Sequence, residues 1–270
     1  MQSKSIYSVK ISKVVAALER FSPLPLQESY DNAGLQVGLT EVEVSGALLC
    51  LDVNEQIVDE AIAKGCNLVV AHHPLIFHKL SCVSDLNYVQ RTVMKAIQHG
   101  ITIVAMHTNL DNAFGGVNYK IAEKIGLVEL ESLGHPRQYE NVSFASGVIG
   151  KLPNPFAPQE FVDLLKKVFK VDCVQCNQLL HRDIVKVALC GGAGSFLLDD
   201  AIAAGADAFV TGEMHYHEYF GHEQEIQIAV IGHYQSEQFT NEIFKSIIER
   251  ECEGVPCYLA ETNTNPILYL

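Results

Sequence analysis

Short runs of consecutive apolar residues alternate along this chain with stretches whose apolar positions recur every three or four residues, a pattern that predicts strands covered by helices. Residues 49–70 read as an apolar strand beginning Leu49-Cys50-Leu51, a loop, an amphipathic helix at 57–63, Gly65 as its stop, and a second strand at 68–70. Residues 189–210 repeat this at a constant offset of 140 with no gap, matching Leu49/Leu189, Cys50/Cys190, Asp59/Asp199, Ala61/Ala201, Ile62/Ile202, Ala63/Ala203, Gly65/Gly205 and Val70/Val210. A strand–helix–strand unit in each half calls for a right-handed crossover and favours a mostly parallel sheet. A third strand follows in each half, at 101–106 and 226–231, and each ends at a histidine followed four positions later by a carboxylate: His107 to Asp111 and His233 to Glu237. Sites in α/β sheets are built at the carboxyl ends of strands.

The expectation is therefore an α/β protein of two related three-layer domains with mostly parallel or mixed sheets, residues 1–130 and 131–270. The first carries the His-His and His-x3-Asp donors, the second the His-x3-Glu donors. Residues 147–158 read as a strand running into a proline-rich connector, 159–169 as a helix with Phe161, Leu164, Leu165 and Val168 on one face, and 238–250 as another helix. The apolar tail at 255–270 is expected to pack back on one domain or the other.

Composition narrows the function classes. With 48% hydrophobic and 19% charged residues in 270, the chain has enough apolar surface for real cores, which excludes a disordered protein. Its 19 Lys+Arg against 32 Asp+Glu give a net charge of -13, which disfavours a broad surface for duplex nucleic acid while leaving room for a local basic patch. No apolar stretch approaches the roughly 18 residues of a membrane span. Lys4 and Lys10 precede only the short run Val14-Val15-Ala16-Ala17-Leu18 before Glu19-Arg20, so no signal peptide is expected. Eight cysteines are too sparse for a disulfide scaffold, and a reducing cytoplasm is the expected compartment.

Eleven histidines, several beside carboxylates, point to metal chemistry. Ala71-His72-His73-Pro74 leaves the end of a strand, where two neutral imidazoles can enter one crevice. His233 and Glu237, at i and i+4, share a helix face if both lie in one turn. His72, His73, His107 and His233 with Asp111 and Glu237 exceed what one tetrahedral structural ion needs, and suit two ions supporting hydrolytic chemistry.

The segments Tyr30-Asp-Asn-Ala-Gly-Leu-Gln-Val-Gly38, Ala71-His-His-Pro-Leu-Ile-Phe77, His107-Thr-Asn-Leu-Asp-Asn-Ala-Phe-Gly-Gly-Val-Asn118, Gly212-Glu-Met-His-Tyr-His217 and Gly232-His-Tyr-Gln-Ser-Glu237 resemble, in order, the signatures of the Nif-three-like family, the GTP cyclohydrolase 1 type 2 homologues. The resemblance implies a two-domain α/β fold, two divalent metal ions per subunit (Zn, Fe, Mn, Ni or Co), and a toroidal homohexamer with sites facing an internal cavity. Its ligands carry over to His72, His73, Asp111, His233 and Glu237, while His107 either ligates or holds Asp111. The activity it implies is a metal-dependent hydrolase on a nucleotide or small phosphorylated substrate; the competing reading is a metal-containing regulatory or protein-interaction ring without turnover. Tyr30 and Tyr119 depart from the family pattern without removing a ligand.

Other motifs have two readings each. Cys190-Gly-Gly-Ala-Gly-Ser195 is either a tight strand–helix turn or a phosphate cradle, and the turn is favoured because Leu197 stands where a dinucleotide fingerprint has its third glycine. Cys173-Val-Gln-Cys176, with Cys252 and Cys257, reads as buried thiols rather than a redox or zinc motif. Glu213, His215 and His217 alternate as though along a strand end and serve either as a hydrogen-bonded rim or as a general acid or base, with Glu213 and His217 the catalytic candidates. Asp31 and Asn32 pose the same choice, because Asp-Asn-Ala-Gly is also a good turn.

Overall fold

The computed structural model describes residues 8–140 and 142–268, so Lys4 of the leader reading lies outside the described residues. Two compact units divide the chain, one from residues 1–110 and 240–270, the other from 111–239. A second cut, at 239/240, arises because the chain returns to the first unit for its last helix and strand.

The first unit carries a five-stranded sheet built from β1 (Gly34–Val37), β2 (Ala47–Cys50), β3 (Leu68–Ala71) and β4 (Thr102–Ala105), with the C-terminal strand Cys257–Leu259 beside β2. β2, β3, β4 and the C-terminal strand are mutually parallel, and β1 is an antiparallel edge. Helices α1 (Ile11–Phe21), α2 (Glu55–Ala63) and α3 (Tyr88–Gln98) cover the sheet. The residues of β2, β3 and β4 are all buried, which accounts for continuous apolar runs instead of alternation. Asn54 caps α2 by accepting from the Ile57 amide, and Ile57, Val58 and Ala61 are wholly buried against the β2 and β3 side chains Leu48 and Val69. Each such side chain contributes roughly 1.5–3 kcal/mol when fully buried, less for alanine. The short helix α4 (Thr108–Asp111) follows β4.

The second unit opens with α5 (Val117–Ile125), β5 (Val128–Leu133) and a small hairpin of β6 (Arg137–Tyr139) and β7 (Val142–Phe144). β8 (Gly147–Phe156), α6 (Pro158–Phe169), β9 (Gln175–Cys176), β10 (Ile184–Cys190), α7 (Leu198–Ala203), β11 (Ala208–Thr211) and β12 (Gln227–Val230) follow. Its six-stranded sheet has the order β5-β8-β10-β11-β12-β9, with β10, β11 and β12 parallel and the others antiparallel. α8 (His233–Glu237) ends this unit; α9 (Thr240–Glu251) and β13 (Cys257–Leu259) belong to the first.

The fold is thus mixed α/β, and the 140-residue repeat reaches the hydrogen-bond register: Ala47 faces Leu68 and Cys50 faces Ala71, while Val187 faces Ala208 and Cys190 faces Thr211. One sequence expectation changes. β8 continues through Pro153 and Pro155, because both lie in the irregular stretch between its pairings at Lys151 and Phe156, where no ladder donor is needed. The helix expected at 238–250 is present as α9, and His233 and Glu237 lie on the separate short helix α8 before it. Of the two domains on which the tail was expected to pack, it joins the first, through β13. No helix among the described residues is long and apolar enough to cross a membrane.

Candidate metal centre

In the first unit, β3 delivers His72 and His73 at its carboxyl end and β4 delivers His107 at its own. Backbone amides fix the turn: the His72 amide donates to Cys50 and Leu51 carbonyls and the His73 amide to Leu51. One ring nitrogen from each of the three histidines lies within 4.8 Å of those from the other two, and the ring centroids stand 4.9–5.4 Å apart.

The Nδ1 atoms define how these rings are held. His72 Nδ1 donates to the Met106 carbonyl at 2.9 Å, His73 Nδ1 to Asp52 Oδ1 at 2.7 Å and His107 Nδ1 to Asp31 Oδ1 at 2.8 Å. A carbonyl or carboxylate oxygen only accepts, so the hydrogen sits on Nδ1 and the Nε2 lone pair is the one available to a cation. The Asp31 side chain is buried and also accepts from the Thr108 amide and hydroxyl and the Asn32 amide. Burial pushes its carboxyl upward, but the His107 hydrogen bond and charge, with the Thr108 and Asn32 donors, outweigh it and lower it to about 2. Asn32 itself donates to the Ile76 carbonyl and holds the loop after His73-Pro74. Asp31 and Asn32 are therefore structural members of the site and not merely a turn.

A cavity of about 540 Å³ in the same unit begins at Pro74 and is lined by Phe77, His78, Leu80, Tyr88 and Gln90 among others. That volume suits a small-molecule ligand.

In the second unit, α8 places His233 and Glu237 one turn apart, with Nε2 of the first 3.2 Å from Oε2 of the second. His233 Nδ1 donates to Glu213 Oε1 at 2.9 Å, so this ring repeats the arrangement of the other three. Asp111 and Glu237 both act on Cys190, whose thiol is pushed far above its ordinary range by burial first and then by these two charges. Burial and these two neighbouring charges favour the neutral thiol at Cys190.

The glycine-rich loop after β10 is a tight turn, as favoured. Its three glycine amides are committed to the protein: Gly191 to Asn118 Oδ1, Gly192 to Ser236 Oγ and Gly194 to Thr211 Oγ1. A β-carbon on Gly192 would collide with Glu237 Oε1, and one on Gly212 with the Gly192 carbonyl and His233 Cα. The glycines let the loop and α8 approach closely, which sets Glu237.

Two expectations are corrected. Glu213, His215 and His217 do not alternate along a strand, because β11 ends at Thr211 and the Glu218 carboxylate accepts from the His215 amide to start a 3-10 turn at Tyr216–Tyr219. Glu213 alone of the three meets His233, while exposed His217 packs against Tyr216 and Phe220. The cysteines are not all buried either: Cys173 is exposed and Cys176 half-buried at the two-residue edge strand β9, and Cys257 is half-buried on β13. The residue that sequence reasoning missed is Asp52, an isolated acid just past β2 whose partner His73 is brought to it by the β2–β3 pairing.

The donor set fits divalent metal: imidazoles in a fixed tautomer, carboxylates one helical turn or a short turn away, and no thiolate. The chain is 30% identical over 267 residues to the GTP cyclohydrolase 1 type 2 homolog of Lactococcus lactis, covering 96% of this chain and 98% of that one. It is 30% identical over 232 residues to the protein of the same name from Clostridium acetobutylicum, covering 85% and 86%. A crystal structure of a Staphylococcus aureus hypothetical protein superposes with a TM-score of 0.88 at 26% identity, covering 97% of this chain and all of that one. Residues 9–266 match one family across nearly the whole fold described above, and the chain belongs to the Duf34/NIF3 (NGG1p interacting factor 3) family.

Proposed function

We propose that this chain is a dinuclear divalent-metal hydrolase acting on a nucleotide or small phosphorylated compound, with His72, His73, Asp111, His233 and Glu237 as metal ligands and His107 beside them. The observation that carries the reading is the Nδ1 hydrogen bond of all four histidines, to Met106, Asp52, Asp31 and Glu213, which turns each Nε2 into a fixed donor. Bound divalent ions would supply Lewis acidity and bring the pKa of water towards neutrality. The chain's own residues do the positioning. Asp31 holds His107, Asp52 holds His73, and Glu213 holds His233 while its half-exposed carboxylate can take a proton from substrate or solvent. His217, on its aromatic cluster, is the second candidate for proton transfer. The cavity beyond Pro74, with Phe77 and Tyr88 on its wall, suits a planar base. The names of the relatives favour purine-ring opening of GTP as one version.

The test is turnover of GTP and a panel of phosphoesters after loading with Mn, Fe, Co, Ni or Zn. Metal-dependent turnover lost by at least a hundredfold in Asp111→Ala and Glu237→Ala is expected; no turnover with any metal, or turnover indifferent to both variants, would overturn it.

A second reading, a metal-containing regulatory or protein-interaction ring, is favoured by the interacting-factor description of the family and by the exposed rings of Tyr216 and Phe220. Under either reading the ordered motifs support a homohexamer, checked by native mass. All eight cysteines are free, which supports a reducing, cytoplasmic compartment.

A further inference from the structure

The C-terminal segment passes the metal-ligand turn on a defined path. β13 runs parallel to β2 in register, Cys257 facing Ala47 and Leu259 facing Leu49, so both strands leave the sheet at the same end. The chain beyond β2 continues to Asp52, and the tail beyond β13 continues to Thr264. The path is pinned along its length. The Ala260 amide donates to the Leu49 carbonyl, the Glu261 and Thr262 amides donate to the two carboxylate oxygens of Glu60 on α2, and Lys64 pairs with Glu261 at 2.8 Å. At the end of this strap, Thr264 Oγ1 donates to Asp52 Oδ2 at 2.8 Å, while the other oxygen of the same carboxylate accepts from His73 Nδ1 at 2.7 Å. Asn263 closes the turn by accepting from the Asn265 amide.

We infer that Asp52 and Thr264 are positioning residues for the metal ligand His73, and that the C-terminal strap sets the affinity of the site for divalent ions. This rests on the reading of His73 as a ligand. The physical reason is that Asp52 stands half-exposed after the end of its strand and has two rotatable side-chain bonds. A carboxylate held through both oxygens turns less freely about those bonds than one held through a single oxygen. The Thr264 hydroxyl occupies the second oxygen, so the carboxylate plane, and through it the His73 ring, has one orientation. The hydroxyl donates to a carboxylate and moves no proton in doing so, so its contribution is geometric.

The experiment measures Co²⁺ affinity of the full chain by chelator competition, together with the visible absorption spectrum of bound Co²⁺, in wild type, Thr264→Val, Thr264→Ser and Asp52→Asn. Thr264→Val keeps the shape of the side chain and removes the donor. Affinity is expected to fall about threefold to tenfold in Thr264→Val, to return in Thr264→Ser, and to fall roughly 10–100-fold in Asp52→Asn, with the Co²⁺ spectrum shifted in Thr264→Val and Asp52→Asn. A purely structural tail would leave the spectrum of the bound ion unchanged. Wild-type affinity and an unchanged spectrum in Thr264→Val overturn the inference and leave the metal reading standing. A wild-type chain that takes up no divalent ion overturns both.

Discussion

A histidine offers two nitrogens, and its neighbours decide which one faces a ligand. Here the choice is made four times in the same way, with Nδ1 spent on an acceptor and Nε2 left as the donor. The histidines themselves were legible because each ends a strand beside a second motif residue. Asp31 and Glu213 were legible as candidates because they sit inside those motifs. Asp52 was not, because a single acid after a strand has no local pattern and acquires meaning only when β3 brings His73 alongside. Glycine gives a prediction at this scale. Gly192 and Gly65 both have positive φ, at +59° and +68°, but only a β-carbon at Gly192 meets another group, Glu237. Substitution by alanine at either is expected to cost about 1–2 kcal/mol in chemical denaturation, from the left-handed backbone. Only Gly192→Ala should also weaken divalent-ion uptake, and equal uptake by the two variants would show that the loop does not set Glu237.

Elements follow the repeat as far as packing demands and no further. The shared strand–helix–strand unit keeps its register because both copies bury continuous apolar strands against an amphipathic helix. The copies part after β3 and β11: 30 residues containing α3 separate Ala71 from Thr102, whereas only 15, with a 3-10 turn, separate Thr211 from Gln227. That loss leaves no hydrophobic signature in advance, and neither does the return of β13 to the first sheet, since three residues of strand cannot specify a partner. The strap after β13 predicts a pH response. Burial raises the Glu60 carboxyl, but the Thr262 side chain, the Glu261 and Thr262 amides and Lys64 outweigh it and hold it below its ordinary 4.5. A depressed folded pKa gives stability that is complete above the unfolded value and is lost as pH falls through the folded one. The Glu261 and Thr262 amide resonances are therefore expected to stay constant from pH 7 to about pH 5 and to titrate with a midpoint below 4.5. A midpoint at or above 4.5 would mean that Glu60 does not hold the strap.

For the molecule as a whole, the net charge of -13 describes an acidic chain whose proposed metal ligands and their partners include Asp31, Asp52, Asp111, Glu213 and Glu237. Grouping carboxylates this way raises the cost of the compact state unless positive charge is bound among them. Ion binding to the folded chain stabilises it by RT ln(1 + [L]/Kd), about 2.7 kcal/mol at a hundredfold excess over Kd, or roughly 5–10 °C for a chain of this size. The choice of ion matters, because the unfolded chain exposes eight thiols and eleven imidazoles that bind Zn²⁺ and would offset the shift. Mn²⁺, which prefers oxygen and imidazole to thiolate, avoids most of that loss. Calorimetry after exhaustive chelation and then with Mn²⁺ at a hundredfold excess is expected to show the transition rising by that amount. The same addition should move Asp111→Ala and Glu237→Ala by less than a third as much, since each lacks a proposed ligand. A wild-type transition indifferent to Mn²⁺ and Co²⁺ alike, or variants that respond as fully as wild type, would show that these donors do not hold an ion.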